Sequence, residues 1–148
     1  MIRSATTQAA ALLGAAVLVI GIAMAQSSDS TQAKFDKAAY AELSKVPAKA
    51  AVRLNPLESD SEAVAAGAKL FRRHCAECHG ADAEGGKKAP SLRAEEVQQA
   101  TPGTLFWLIT NGVVRKGMPV WSRLPEPERW QLVSYVKSLR SSARQPNQ

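Results

Sequence analysis

Apolar residues recur at helical spacing in three stretches of the chain. The first follows Leu57. Val64, Ala68, Phe71 and Cys75 form an i, i+4, i+7, i+11 stripe through EAVAAGAKLFRRHC, which predicts an amphipathic helix. Ser59 or Ser61 is expected to cap it, and Glu62 adds a favourable charge to its first turn. The second runs from Pro102 to Thr110, with Thr101 as N-cap and Pro102 at the first helical position; Asn111-Gly112 stops it. The third covers about Pro127 to Ser141, where Leu132, Val133, Tyr135, Val136 and Leu139 are the apolar residues. Nothing alternates with the period of a strand. The expected fold is all-α, with three or four short helices joined by long loops. GADAEGGKKAPSLR (80–93) and VVRKGMPVWSRLPEP are the longest of these loops, punctuated by glycine and proline.

The first 58 residues read differently. Arg3 and a polar stretch precede an uncharged, mostly apolar run from Ala9 to Ala25, which closes on Ala23-Met24-Ala25. Residues 1–25 therefore read as a signal peptide with a small-x-small cleavage site. The competing reading is a retained membrane tether through residues 9–25. Either places the remainder in the periplasm, free or held at the inner membrane. Residues 26–58 are expected to form a linker or N-terminal extension. Within it QSSDSTQA is polar, KFDKAAYAELSKV has weak helical spacing, and PAKAAVRLNP is expected to be extended. The compact domain is expected at 59–142, followed by a disordered tail at 143–148.

Charge changes this picture little. Lys and Arg number 19 against 13 Asp and Glu, a formal +6, which suits acidic partners. No sustained basic run or aromatic interleaving supports a nucleic-acid partner. Loop content matters more. Long irregular loops in so small a domain need something besides side chains to organise them, and a large apolar cofactor would do so.

The chemistry is concentrated in RHCAECHG, Arg73 to Gly80. Both cysteines and both histidines of the chain lie between His74 and His79. A redox dithiol belongs at a helix N-terminus, whereas here the expected helix precedes the cysteines. A disulfide across two residues would constrain almost no chain entropy. Zinc modules draw four ligands from separated pairs, and there is no second pair. Cys-x-x-Cys-His is instead the attachment signature of a c-type haem. Cys75 and Cys78 would form thioethers to the vinyl groups, and His79 would be the proximal iron ligand.

A sixth ligand is then required. His74 adjoins Cys75 on the proximal side and is read as a helix-end histidine. Beyond the leader the only methionine is Met118, in KGMPVW. It stands in a loop, with Gly117 permitting close approach and Pro119 stiffening the chain behind the sulfur. Trp107, Leu108, Leu105 and Trp121 are expected as haem wall or core.

With HCAECHG, KGMPVW, GAKLF and LVSYVKSL together, residues 59–142 resemble a class I cytochrome c. The resemblance implies that Gly67 and Phe71 on the first helix meet Leu132 and Tyr135 on the last. It also implies that the Pro90 carbonyl accepts the Nδ1–H of His79. The implied cofactor set is one covalently bound haem c on Cys75 and Cys78, with His79 and Met118 as axial ligands and Pro90, Gly67, Phe71 and Trp121 in support.

A His/Met iron has no open position, so the expected role is one-electron transfer rather than catalysis. The carrier would link a dehydrogenase or quinol-oxidising complex to an oxidase. Lys87, Lys88, Arg115, Lys116 and Arg123 would form a basic rim for an acidic redox partner or membrane respiratory complex. Two other readings stay open: a haem peroxidase or gas sensor with a labile Met118, and a cytochrome subunit of a larger complex.

Overall fold

The computed structural model describes residues 38–142. The expected leader, the first part of the extension and the tail at 143–148 lie outside them. Residues 39–142 belong to one compact unit. Among the described residues, α-helices with both ends described are α1 (Ala48–Ala51), α2 (Ser61–His74), α3 (Ala76–His79), α4 (Glu95–Gln99), α5 (Pro102–Asn111) and α6 (Glu126–Ser142). Short 3-10 turns lie at Ala41–Lys45 and Val114–Lys116. Among the described residues the only β pairing is an isolated bridge between Val113 and Met118. The fold is all-α. No described helix is long and apolar enough to cross a membrane.

Helix α2 starts one residue away from either expected cap. Asp60 is the N-cap, and its carboxylate accepts from the amides of Glu62 (2.8 Å) and Ala63 (3.1 Å). Asp supplies the same acceptor as Ser and adds a charge that suits the helix dipole. The buried line on α2 is Ala63, Gly67 and Phe71, one residue round from the expected stripe above Phe71. The reason is the crossing with α6. A Cβ built at Gly67 would collide with the Gln131 carbonyl and lie 2.9 Å from the Tyr135 Cβ. The backbones approach closely only because position 67 has no side chain. Beside the crossing the Phe71 and Tyr135 rings sit 5.2 Å apart and tilted by 45°, within the favourable range for aromatic pairs. Helix α5 begins as expected, with Thr101 Oγ1 accepting from the Thr104 amide.

Residues 39–58 depart from expectation. The sequence sets them in an extension ahead of the domain; in the structure they pack against it. PAKAAVRLNP is not extended throughout, since Ala48–Ala51 forms a helical turn. Thr101 Oγ1 donates to the Ala51 carbonyl at 2.6 Å. Asn55 is buried; its Nδ2 donates to Ser134 Oγ at 2.8 Å, and its Oδ1 accepts from the Leu57 amide at 2.9 Å. Arg53 pairs with Glu126 at 2.7 Å and lies over the Phe106 ring.

The core is divided. One buried cluster comprises Val97, Leu105, Phe106, Trp130, Val133 and Val136. The other comprises Phe71, Ala83, Leu132 and Leu139. Among the described residues, only Leu92 and Ile109 pack against both.

Candidate haem site

A cavity of about 440 Å³ opens between the two halves of the core. Phe71 and Leu132 of one cluster and Val97, Leu105 and Val136 of the other face into it. Cys75, Cys78, His79 and Met118 all line it. The structure thus brings the CxxCH and the distant methionine to one space.

Local folding explains the CxxCH spacing. The backbone breaks from α2 at Cys75 (φ −120°) and resumes as the single turn α3. The amides of Cys78 and His79 donate to the Cys75 carbonyl at 3.1 and 2.9 Å. Positions i, i+3 and i+4 of a helical turn share one face, so the turn directs both sulfurs and the imidazole to the same side. No disulfide joins Cys75 and Cys78. Burial, and then the neighbouring Cys78, push the Cys75 thiol up to about 11. A redox dithiol needs the opposite shift. Zinc is equally poorly served: among the described residues no group of three or more His, Cys, Asp or Glu side chains could hold a metal ion.

His79 is oriented by a backbone carbonyl. Its Nδ1 lies 2.9 Å from the Pro90 carbonyl. A carbonyl can only accept, so Nδ1 carries the proton and Nε2 keeps its lone pair. Burial lowers the imidazole pKa, and the Pro90 bond opposes this in part. The neutral, donor-competent ring is therefore favoured.

Met118 is held by its backbone. The Val113 amide donates to the Met118 carbonyl at 3.0 Å and the Met118 amide to the Val113 carbonyl at 3.2 Å. Between them Gly117 adopts φ +88°, with nothing within 4 Å of where its Cβ would be. Its contribution within the protein is the left-handed turn. The Trp121 amide then donates to the Ile109 carbonyl at 3.2 Å, fixing the loop to α5.

The supporting residues separate. Pro90, Phe71, Trp121, Leu105 and Leu108 line the cavity. Gly67 and Trp107 do not: Gly67 belongs to the helix crossing, and Trp107 faces a separate pocket of about 100 Å³ beside Arg53. His74 ends α2 and also reaches the lining, its ring 5.1 Å from that of Trp121. Sequence reading missed Tyr40, Glu42 and Leu43, which close one wall. The weak helical spacing of KFDKAAYAELSKV was the only available signal. Of the expected basic rim, Lys88 and Lys116 lie at the lining, while Lys87, Arg115 and Arg123 are exposed. Acids accompany them. Lys88 pairs with Glu77 at 3.2 Å, and Lys116 lies 3.8 Å from Glu42.

Comparison with known proteins gives the chain a family. The family model described as cytochrome c oxidase, cbb3-type, subunit III matches residues 62–136, just over half of the chain. The cbb3-type cytochrome c oxidase subunit CcoP of Rubrivivax gelatinosus is 36% identical over 102 residues, 68% of this chain and 32% of that protein. Cytochrome c550 of Pseudomonas aeruginosa is 33% identical over 88 residues, covering 57% of this chain and 61% of that one. The chain spans about a third of the length of the CcoP and FixP relatives it matches. Cytochrome cL of the marine methylotroph Methylophaga aminisulfidivorans superposes with a TM-score of 0.51 at 32% identity, covering 57% of this chain and 58% of that one. An all-α domain, a core divided by an apolar cavity and a CxxCH at its wall are thus joined to a family match over residues 62–136: the chain belongs to the class I c-type cytochromes, in the family described as cytochrome c oxidase, cbb3-type, subunit III.

Proposed function

We propose that this protein is a periplasmic one-electron carrier holding a single haem c, with Cys75 and Cys78 as its covalent attachment and His79 and Met118 as axial ligands. The observation that carries the reading is the cavity of about 440 Å³ on which these four side chains converge. A c-type haem supplies Fe(III)/Fe(II) exchange. One CxxCH in the sequence supports one such group. The residues fit it: two thiols on one helical turn, an imidazole with Nε2 unprotonated, a thioether in a pinned loop and apolar walls. Leu105, Leu108, Val97 and Leu132 keep water from the site, which favours the less charged iron state. The Met118 sulfur acts in the same direction, a soft ligand that raises the potential relative to a second imidazole.

Electrons would pass between a dehydrogenase or quinol-oxidising complex and an oxidase. Lys87, Arg115 and Arg123, with Lys88 and Lys116, suit a transient acidic partner. A second reading is a cytochrome subunit of a larger respiratory complex. It is favoured by the family match and by relatives named as oxidase subunits.

The test is a visible spectrum of the holoprotein, oxidised and reduced, with a pyridine haemochrome. A c-type α-band and a weak near-infrared sulfur-to-iron band are expected. Met118→Ala should lose the near-infrared band and gain CO binding in the reduced state. If wild-type protein lacks that band and binds CO readily, the carrier assignment fails.

A further inference from the structure

The wall contributed by the N-terminal segment reaches the histidine's own support. Tyr40 is half-buried, and its phenol donates to the Ser91 carbonyl at 3.0 Å. Ser91 directly follows Pro90, whose carbonyl accepts the His79 Nδ1–H at 2.9 Å. The same strand of loop is held from its other side. The Leu92 amide donates to the Ala83 carbonyl at 2.9 Å, and the Arg93 amide donates to Ser91 Oγ at 3.1 Å. These bonds are local to the 80–93 loop; the Tyr40 bond comes from 51 residues away. The tyrosine ring packs against the cluster containing Val97, Leu105 and Val136, so the phenol is itself fixed. Glu42, two residues on, lies 3.8 Å from Lys116 in the loop that carries Met118. The segment thus touches the loops behind both proposed ligands.

We infer that Tyr40 is a positioning residue for the iron site, clamping the Pro90–Ser91 backbone so that the Pro90 carbonyl stays in line with His79 Nδ1–H. This rests on the haem reading above. A well-held acceptor behind a ligating histidine fixes its ring and raises its basicity. A more basic ligand favours Fe(III). Slackening the acceptor therefore raises the potential, whereas admitting water to the cavity would lower it. The sign separates a positioning role from mere shielding.

Tyr40→Phe removes the hydroxyl and keeps the ring. In the reduced holoprotein the His79 Nδ1–H should exchange with solvent about five- to tenfold faster, the effect of one lost hydrogen bond, and the reduction potential should rise. Wild-type exchange and potential in the variant would overturn the clamp whatever happens to the melting temperature. A lowered potential, or faster exchange with an unmoved potential, would overturn it too. The wild-type spectrum keeps the two readings distinct. If it shows His/Met haem and the variant is silent, the clamp alone fails; if it does not, the carrier assignment fails first.

Discussion

At residue scale the decisive features are single atoms. The Pro90 carbonyl selects the His79 tautomer and leaves Nε2 available. The Met118 loop needs one left-handed residue, and Gly117 provides it. Gly67 is needed for the opposite reason, since any side chain there meets backbone of α6. Gly67→Ala is expected to destabilise the holoprotein by about 1–3 kcal/mol or more, because overpacking against backbone has no rotamer to relax into. Denaturant unfolding of the two proteins would measure it, and an unchanged midpoint would show that the helices can separate at no cost.

At the scale of elements, the segment from 39 to 58 is tied to α5 and α6 by polar bonds as well as apolar contact. Arg53, and then Trp130, hold the Glu126 carboxyl below its usual 4.5. The sign follows from linkage: a depressed carboxylate pKa contributes stability that is present above the unfolded value. That stability is lost as pH falls through the folded value. Both side chains are about half exposed, so the effect is small. Glu126→Gln should lower the melting temperature slightly near neutral pH and flatten its fall below about pH 4.5. Parallel acid curves for variant and wild type would remove this pair from the account. The Asn55–Ser134 bond is buried and stands apart from this pH dependence.

For the whole molecule, a core split by a cavity of this size cannot close on itself. The lining side chains would face water or a void, and either forfeits the burial that holds a small domain together. Cys75→Ala with Cys78→Ala, which removes covalent attachment, is therefore expected to leave a chain without cooperative thermal unfolding by circular dichroism. A sharp, native-like transition would show that the halves pack without the group. The charge distribution acts at the same scale. Raising ionic strength from 0.01 to 0.15 M shortens the screening length from about 30 to about 8 Å. Electron transfer to an acidic partner should slow accordingly, and a salt-independent rate in stopped-flow mixing would exclude the basic rim as a docking surface.

What could be read from the chain alone was local in character. CxxCH spacing, the isolated methionine between glycine and proline, and helices α2, α5 and α6 each declare themselves within a few residues. Covalent chemistry and helical period act over that range. The exact phase of α2 did not: its buried face is set by the α6 backbone at Gly67, some sixty residues on. Nor did the packing of residues 39–58. Tyr40 to Ser91, Ala51 to Thr101 and Asn55 to Ser134 join positions 51, 50 and 79 residues apart. A polar, proline-bounded stretch gives no sign of such partners, because a hydrogen bond's worth depends on burial that only the folded chain creates. The sequence by itself determined which atoms could hold a haem. The tertiary structure decided which walls close around it and what stands behind the histidine.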